Sequence, residues 1–236
     1  MKNKQSPLLV SILLFIIGAI IGLTLIVLAT WADVEAQTYG FYRRASIGLP
    51  GLNCPILMTP GEVSKVSLRL NNTTNKQLAP NIRMEISKPV MPFLSTESVK
   101  LAAGESKTLE WKIGPENIDL GNFIFINALT YSFYPLPSRE SMCGVFIINL
   151  PTNGRTIVAI MTILSLLGMG FGLYGLNQSP SLARRVLIAR RPLLVVSVLI
   201  TASILVTFIG WWWLGVILLV LTLLLVLAVL VLVLMA

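Results

Sequence analysis

The chain has 236 residues, of which 55% are apolar and 12% are charged, and its formal net charge is +8. Soluble domains carry about 25% charged residues, so this composition indicates a membrane protein. The positive surplus lies beside apolar segments, because residues 31–154 hold all ten acidic groups and eleven of the basic ones. We therefore expect no nucleic-acid binding. The absence of histidine from the sequence excludes histidine-dependent catalysis and most zinc or copper sites.

The first apolar segment, residues 8–31, follows a short basic head that contains Lys2 and Lys4. Its length fits the roughly 20 residues that cross a bilayer as a helix. We interpret residues 1–31 as a cytoplasmic head and a retained transmembrane helix, with a cleaved signal peptide as the alternative. Gly18 and Gly22 have the GxxxG spacing that lets another helix approach closely, although small residues are common in membrane helices.

Residues 32–53 form a juxtamembrane segment rich in aromatic and basic side chains. Tyr39, Phe41 and Tyr42 lie beside Arg43 and Arg44 in the sequence. Aromatic rings and long cations both fit the headgroup layer of a bilayer. The segment is therefore interpreted as an interfacial anchor, or alternatively as a docking surface for a neighbouring membrane subunit.

Residues 54–154 change to short segments in which apolar and polar residues alternate. Alternation occurs in residues 62–70, 81–87 and 106–113, whereas residues 122–134 and 142–150 are rich in β-branched and aromatic residues. Both patterns are typical of strands. Turn residues such as Pro60, Gly61 and Gly104 separate these segments. About seven strands in roughly 100 residues, with no helical pattern between them, predict an antiparallel two-sheet sandwich.

Three motifs in this region resemble the turns of immunoglobulin-like, CARDB-type domains of bacterial and archaeal surface proteins. They are Pro60-Gly61-Glu62, the Asn-rich run 71–75, and Gly104-Glu105. The resemblance covers roughly residues 54–150 and implies adhesion, spacing or protein contact, with no active site. In such a topology Cys54 would lie on the first strand and Cys143 on the neighbouring last strand. A disulfide between them is expected in an exported domain, with two buried reduced cysteines as the alternative.

Residues 155–176 form the second predicted span, whose last turns are crowded with glycine. Gly168 and Gly172 repeat the GxxxG spacing, and Gly170 and Gly175 lie nearby. Glycine at this density costs helix stability, so we expect close packing against another helix.

Residues 177–191 form a basic connector that contains Arg184, Arg185, Arg190 and Arg191. By the positive-inside rule, this connector and the N-terminus lie in the cytoplasm and the sandwich lies outside. An oxidising exterior agrees with the expected disulfide. The apolar centre of the connector, residues 186–189, leaves open a short amphipathic turn on the membrane surface.

Residues 192–236 contain no charged residue, Asn or Gln. As one helix this segment would be roughly 67 Å long, about twice the hydrocarbon thickness of a bilayer. We therefore predict a transmembrane hairpin that turns between Gly210 and Gly215. Trp211, Trp212 and Trp213 would then lie at the outer membrane interface.

The sequence thus predicts four transmembrane α-helices plus one exported all-β immunoglobulin-like sandwich. Such a protein would be a multi-pass protein of the plasma (inner) membrane, with both termini cytoplasmic and residues 32–154 extracytoplasmic. The sequence identifies no catalytic, cofactor-binding or metal-binding residue and no small-molecule substrate, and we expect it not to be an enzyme.

The function that fits this organisation is a non-catalytic accessory or scaffolding subunit of a larger membrane complex. Its helices would contact membrane lipids and pack on other integral membrane subunits through the glycine faces. The alternatives are a stand-alone surface receptor or adhesion protein that binds an extracellular ligand, and a chaperone for complex assembly.

Overall fold

The computed structural model describes residues 6–41, 43–131, 137–178 and 184–235. The chain divides into two compact units, each described separately below. The helical unit comprises Met1–Thr30 and Ile157–Ala236, and the β-unit comprises Trp31–Thr156. Lys2 and Lys4 of the predicted basic head lie outside the described residues.

Four long helices account for the apolar segments of the sequence. They are α1 (Ser6–Thr38), α2 (Gly154–Gln178), α3 (Arg184–Ile209) and α4 (Trp212–Met235). Each contains a segment that is long and apolar enough to cross a membrane. The four apolar helices predicted from the sequence are therefore present.

Two helix boundaries differ from those predicted. Helix α1 continues to Thr38, seven residues past the expected end at Trp31, because its last turns pack against a sheet. Helix α3 begins at Arg184, within the expected connector of residues 177–191. Arginine, leucine and alanine are good helix formers, so this basic stretch extends the apolar helix rather than forming a loop.

The helical unit has a buried core to which α1, α2 and α3 contribute. Phe15 and Ala19 of α1, Met169 of α2, and Val196 and Ile200 of α3 are among its buried residues. Helix α3 ends at Gly210, which has a φ of 77° and whose N–H donates to the Val206 carbonyl at 3.1 Å. Glycine adopts this left-handed conformation without steric cost. Gly215, expected to share the turn, lies within α4 instead.

The described residues of the β-unit form eight strands in two sheets. The strands are β1 (Leu52–Asn53), β2 (Leu57–Met58), β3 (Ser64–Asn71), β4 (Asn81–Ile86), β5 (Phe93–Ser98), β6 (Ser106–Ile113), β7 (Phe123–Thr130) and β8 (Arg139–Ile147). One sheet has the order β1-β3-β6 and the other has the order β2-β8-β7-β4-β5. Neighbouring strands run antiparallel except β2 and β8, which are parallel.

A single apolar core joins the two sheets. Alternate residues of β3 and β4 face into it, as their burial patterns show. The fully buried members include Val66, Leu68, Met84, Ile113 and Ile126. The two sheets therefore pack face to face, as the alternating pattern predicted.

Strand β5 was not predicted from the sequence. Five of its six side chains are exposed and Ser95 is half-buried, so its sequence has no alternation of buried and exposed positions. It is recognised only through its pairing with β4, from Asn81 opposite Ser98 to Ile86 opposite Phe93.

Candidate functional site

The last turns of α1 lie on the outer face of the five-stranded sheet. Ala32 and Ala36 are fully buried there. A Cβ atom added to Gly144 of β8 would overlap the carbonyl oxygen of Ala32, so only glycine permits this approach. The Gly144 N–H also donates to Asp33 Oδ1 at 3.1 Å. Direct backbone contact therefore fixes the helix end on the sheet.

Aromatic rings surround this contact. The Trp31 ring lies 5.5 Å from the Phe123 ring and 5.9 Å from the Phe146 ring, measured between centroids. The Tyr39 ring lies 4.4 Å from the Phe125 ring, and the Tyr39 hydroxyl donates to Asp119 Oδ2 at 2.5 Å. Burial, together with the hydrogen bond and negative charge of Asp119, raises the pKa of Tyr39 above its ordinary value.

The described part of the juxtamembrane segment contacts the β-unit. Tyr39 and Phe41 pack on the outer face of the sheet, and their rings lie 4.7 Å apart. Both residues are half-buried there, and their predicted role as an interfacial anchor stays a prediction. Tyr42 lies outside the described residues.

A buried polar cluster lies on the same outer face. Glu85 and Glu140 are each 7% exposed, and Asn127 between them is 2% exposed. The Asn127 Nδ2 group donates to Glu140 Oε1 at 2.8 Å and to Glu85 Oε2 at 3.3 Å. Arg83 forms an ion pair with Glu85 at 2.5 Å. The hydrogen bond to Tyr131 and the charge of Glu85 raise the pKa of Arg83 despite partial desolvation.

Glu140 joins this cluster to the segment that follows α1. Its Oε2 atom accepts the backbone N–H groups of Arg44 at 2.8 Å and Ala45 at 2.9 Å. The Arg44 guanidinium lies 4.0 Å from Glu85 and donates to the Tyr131 hydroxyl at 3.1 Å. These bonds use the carboxylates as structural acceptors, and charge-assisted bonds of this kind are among the strong ones.

Glu62, in the Pro-Gly-Glu motif, holds the chain where it leaves the β-unit. Its Oε2 atom accepts the N–H of Gly154 at 2.7 Å and that of Thr59 at 3.0 Å. Asn153 Oδ1 accepts the Thr156 N–H at 2.8 Å and so caps the start of α2. The motif that carried the family resemblance thus has a direct structural role.

Cys54 and Cys143 lie at disulfide distance, with their Cα atoms 6.5 Å apart. Cys143 is on the last strand, β8, as expected. Cys54 lies in the short connection between β1 and β2 rather than on a strand. Both cysteines contact the core between the two sheets.

The predicted helix-packing glycines meet one another inside this chain. A Cβ atom on Gly18 would lie 2.6 Å from the Met169 nitrogen, and one on Gly168 would lie 2.9 Å from the Gly18 Cα atom. Gly172 faces Phe15 in the same way, and Gly22 faces Ser165. Helices α1 and α2 therefore pack antiparallel through their glycines, and this face is not free for a partner helix.

The remaining predicted residues lie at the ends of the helices. Trp211 and Trp213 are 53% and 54% exposed, and Trp212 is half-buried. Arg191 is exposed on α3. The backbones of Arg184, Arg185 and Arg190 belong to the same helix, but their side chains lie outside the described part of the structure.

A cavity of about 430 Å³ lies at one end of the β-unit. At this end β3 and β7 finish and β8 begins. Arg69, Arg139 and Tyr131 contribute polar groups to its lining, and Leu78 and Leu101 contribute apolar surface. Its volume is within the range of small-molecule pockets. Among the described residues, no cluster of His, Cys, Asp and Glu could hold a metal ion. Sequence analysis did not identify this cavity, because its lining residues come from separate strands and loops.

Comparison with known proteins does not assign the chain to a family. No family model matches, and no curated protein matches. Among solved structures, one similar to this chain is a β-glucosidase from Erythrobacter marinus. The match covers 42% of this chain and 15% of the β-glucosidase chain, with 18% identity and a TM-score of 0.29. A cycloisomaltooligosaccharide glucanotransferase from Paenibacillus sp. matches 44% of this chain and 14% of its own, with 10% identity and a TM-score of 0.33.

A third similar structure is the CARDB domain of a Pyrococcus furiosus protein in complex with metal ions. It matches 45% of this chain and 95% of its own, with 14% identity and a TM-score of 0.33. The chain thus spans only a small fraction of the two enzymes. TM-scores this low carry no argument about activity, ligands or partners.

Proposed function

We propose that the protein is a non-catalytic accessory or scaffolding subunit of a membrane complex. It would span the membrane four times, with both termini in the cytoplasm and an immunoglobulin-like, CARDB-type unit outside. The β-unit would dock on the exported surface of a partner protein. The exposed strand β5 is the observation that carries this proposal.

Strand β5 offers a long, open sheet edge. It pairs with β4 on one side only, and five of its six side chains are exposed. Exposed edge strands present unpaired N–H and C=O groups that another chain can pair with. Natural edges are often blunted by charged side chains, especially Lys, or by Pro; β5 contains no Lys or Pro, and Glu97 is its one charged residue.

The register identifies which main-chain groups of β5 are open. The Val99 N–H donates to the Pro80 carbonyl at 3.1 Å, so these two residues form a hydrogen-bonded pair. Bonded and non-bonded pairs alternate along antiparallel strands. The main-chain groups of Leu94, Thr96 and Ser98 consequently point away from β4, which is the geometry that strand addition by a partner needs.

In the helical unit, we propose that partner helices contact exposed apolar surfaces rather than the glycine faces expected from the sequence. Its glycine faces are occupied within the chain, so partner helices would meet the broad apolar surfaces of α3 and α4. Leu205, Leu224 and Leu227 are examples of exposed side chains there. We therefore assign specific recognition to the β-unit and general apolar contact to the helices.

Purification of the full chain in mild detergent tests the subunit proposal. A stoichiometric membrane protein should co-purify, and mass spectrometry would identify it. Isolation of the chain alone in its detergent micelle would contradict the proposal. Transient rather than stable association would favour the assembly-chaperone alternative.

Thr96→Pro tests docking through β5. Proline removes an outward N–H and is tolerated on edge strands whose N–H faces solvent, so the β-unit should stay folded while the partner is lost. Thr96→Val keeps the N–H and should retain the partner. Retention of the partner by Thr96→Pro would show that docking uses another surface.

The cavity favours a second candidate function, a surface receptor for an extracellular ligand. Arg69 and Arg139 in its lining suit an anionic group, and the apolar lining suits a ring or chain. A carboxylated disaccharide is a probe of fitting size and charge. It should raise the unfolding temperature of the full chain, and Arg139→Gln should abolish the rise, whereas Lys76→Gln outside the lining should not.

A further inference from the structure

The β-unit has one end at which the chain both enters and leaves it. Trp31 at the entry contacts Phe123 and Phe146, which pair at the start of β7 and near the end of β8. The exit follows β8, whose last residue, Ile147, pairs with Met58. We call this the tethered end of the β-unit.

The strand register places three loops at the tethered end, those between β2 and β3, between β4 and β5, and between β6 and β7, beside the exit segment that follows β8. The loop between β4 and β5 begins after Ser87, whose N–H donates to the Phe125 carbonyl near the start of β7. Ser87 also exchanges hydrogen bonds with Asn117, in the connection after β6. The turn before β3 starts directly from β2, and the turn before β7 closes between Asp119 and Phe123.

These loops carry an apolar rim, defined as Val63, Val90, Met91, Leu120 and Leu150. Their exposed fractions are 66%, 97%, 76%, 63% and 44%. Three other exposed apolar side chains, Trp31, Phe93 and Leu94, lie beside the rim. Among the described residues from Trp31 to Thr156, the remaining exposed large apolar side chains are Val34 and Ile47. Most of the exposed apolar surface described in the β-unit is therefore concentrated at its tethered end.

Leu120 at the rim has a backbone conformation that leucine rarely adopts. Its φ of 46° lies in the left-handed region, where Gly or Asn is the usual residue. The next residue, Gly121, also has a positive φ, of 84°. A bulky leucine at this strained turn, pointing outward, indicates that an apolar tip is required there.

We infer that the apolar rim dips into the lipid headgroup layer and binds the outer membrane surface directly. This inference rests on the membrane location in the proposed function. The chain enters the β-unit within helix α1, which covers Thr30 and Trp31, and leaves it within helix α2, which covers Thr156 and Ile157. Helices that cross a bilayer therefore bring these loops to its surface, where apolar and aromatic side chains are favoured.

The basic residue beside the rim suits the same surface. The Lys88 Nζ atom lies 5.6 Å from the centre of the Phe93 ring. A lysine that lies along an aromatic ring can keep its charge at the phosphate level while the ring lies deeper. A lipid surface accounts for the apolar and the basic side chains together.

Nitroxide scanning of the full chain in phosphatidylcholine and phosphatidylglycerol vesicles tests the inference. The label is placed at Met91→Cys and Leu120→Cys on the rim, at Lys76→Cys on the opposite end, and at Leu224→Cys on α4. Cys54 and Cys143 lie at disulfide distance and should not react without reductant, which the unsubstituted protein checks. Collision rates with oxygen report lipid, and those with a water-soluble nickel chelate report solvent.

We expect the ratio of oxygen to nickel collision rates at both rim sites to be several-fold higher than at Lys76→Cys and lower than at Leu224→Cys. A water-like ratio at the rim together with a lipid-like ratio at Leu224→Cys would overturn the inference and leave the membrane location intact. Low rates with both reagents at the rim would overturn it in favour of burial against a second copy of this chain. A water-like ratio at Leu224→Cys would overturn the membrane location as well.

The vesicles contain no other protein, so the result does not depend on a partner subunit. Failure of the subunit proposal and failure of the lipid contact are thereby separated.

Discussion

Gly144 and Glu140 lie on the same strand, β8, and both hold the segment around the end of α1 against the sheet. Gly144 does so by leaving space for the Ala32 carbonyl. Glu140 does so by accepting the N–H groups of Arg44 and Ala45. At the residue scale, Gly144 acts by having no side chain, and Glu140 acts by accepting hydrogen bonds.

Gly144→Ala should destabilise the β-unit. The added methyl group would meet the main chain of α1, which cannot move aside as a flexible side chain can. Overpacking of this kind costs roughly 1–3 kcal/mol or more. Circular dichroism of the full chain in detergent would measure the fall in unfolding temperature. Gly61→Ala is the control, since nothing lies within 4 Å of its added Cβ atom, and an equal effect of both changes would contradict the prediction.

Glu140→Ala should release the segment that follows α1. It leaves the buried Asn127 N–H without its Glu140 acceptor, which costs about 1–3 kcal/mol, and it removes the acceptor of the part-buried N–H groups of Arg44 and Ala45. Trypsin should then cleave faster after Arg43 and Arg44. Glu97→Ala, on the exposed strand β5, should leave the cleavage rate unchanged. A rate unaffected by Glu140→Ala would show that the aromatic contacts alone hold the segment.

At the element scale, α1 and α2 associate through glycines at matching heights. Ser11 lies opposite Gly175, Phe15 opposite Gly172, Gly18 opposite Gly168, and Ser165 opposite Gly22. The residue numbers rise on one helix as they fall on the other, in steps of one helical turn. This is small-residue packing between antiparallel helices.

Two glycine substitutions on α2 should have opposite effects. In Gly168→Ala the new methyl group would lie 2.9 Å from the Leu14 carbonyl oxygen and from the Gly18 Cα atom. We expect a loss of roughly 1–3 kcal/mol from overpacking. In Gly170→Ala nothing lies within 4 Å, and the higher helix propensity of alanine should stabilise α2 by up to about 1 kcal/mol. Thermal unfolding of the detergent-solubilised chain would compare them, and equal shifts would contradict the packing.

At the scale of the whole molecule, a cysteine pair at disulfide distance joins an early and a late part of the β-unit. Cys54 and Cys143 are 89 residues apart in sequence. In the loop-entropy model, closing a loop of that size stabilises a fold by roughly 4–5 kcal/mol. Persistence of such a bond requires an oxidising compartment, which agrees with the proposed exterior location.

Labelling in intact cells should report that location. After mild reduction, a membrane-impermeant maleimide should modify Cys54 and Cys143, because both lie in the unit proposed to be extracytoplasmic. A cysteine introduced at Arg191→Cys, proposed to be cytoplasmic, should be modified only after the membrane is permeabilised. The reverse pattern would invert the proposed topology.

Much of the architecture could be predicted from the sequence alone. Apolar length identified the four helices, alternation identified β3, β4 and β6, and β-branched and aromatic content identified β7 and β8. These signals are local, and the alternation depends on burial that repeats with the period of the element. The short strands β1 and β2 and the exposed strand β5 lacked such a repeat and were found only through their pairing.

The candidate sites were less predictable, because they depend on residues far apart in the chain. The polar cluster joins β4, β7, β8 and the segment after α1. The cavity and the apolar rim each collect side chains from several loops, none of which has a distinctive pattern by itself. The GxxxG spacing predicted close helix contact, but its partner turned out to be another helix of the same chain.

The sequence by itself determined that this protein has four membrane-length apolar helices and a β-rich middle segment, since hydrophobicity and strand periodicity are properties of neighbouring residues. Only the tertiary structure decided what covers those surfaces. It placed Tyr39 and Phe41 against the sheet and Gly18 against α2. It also gathered Val90, Met91 and Leu120 at the tethered end, because strand register, which sequence does not encode locally, sets which loops meet.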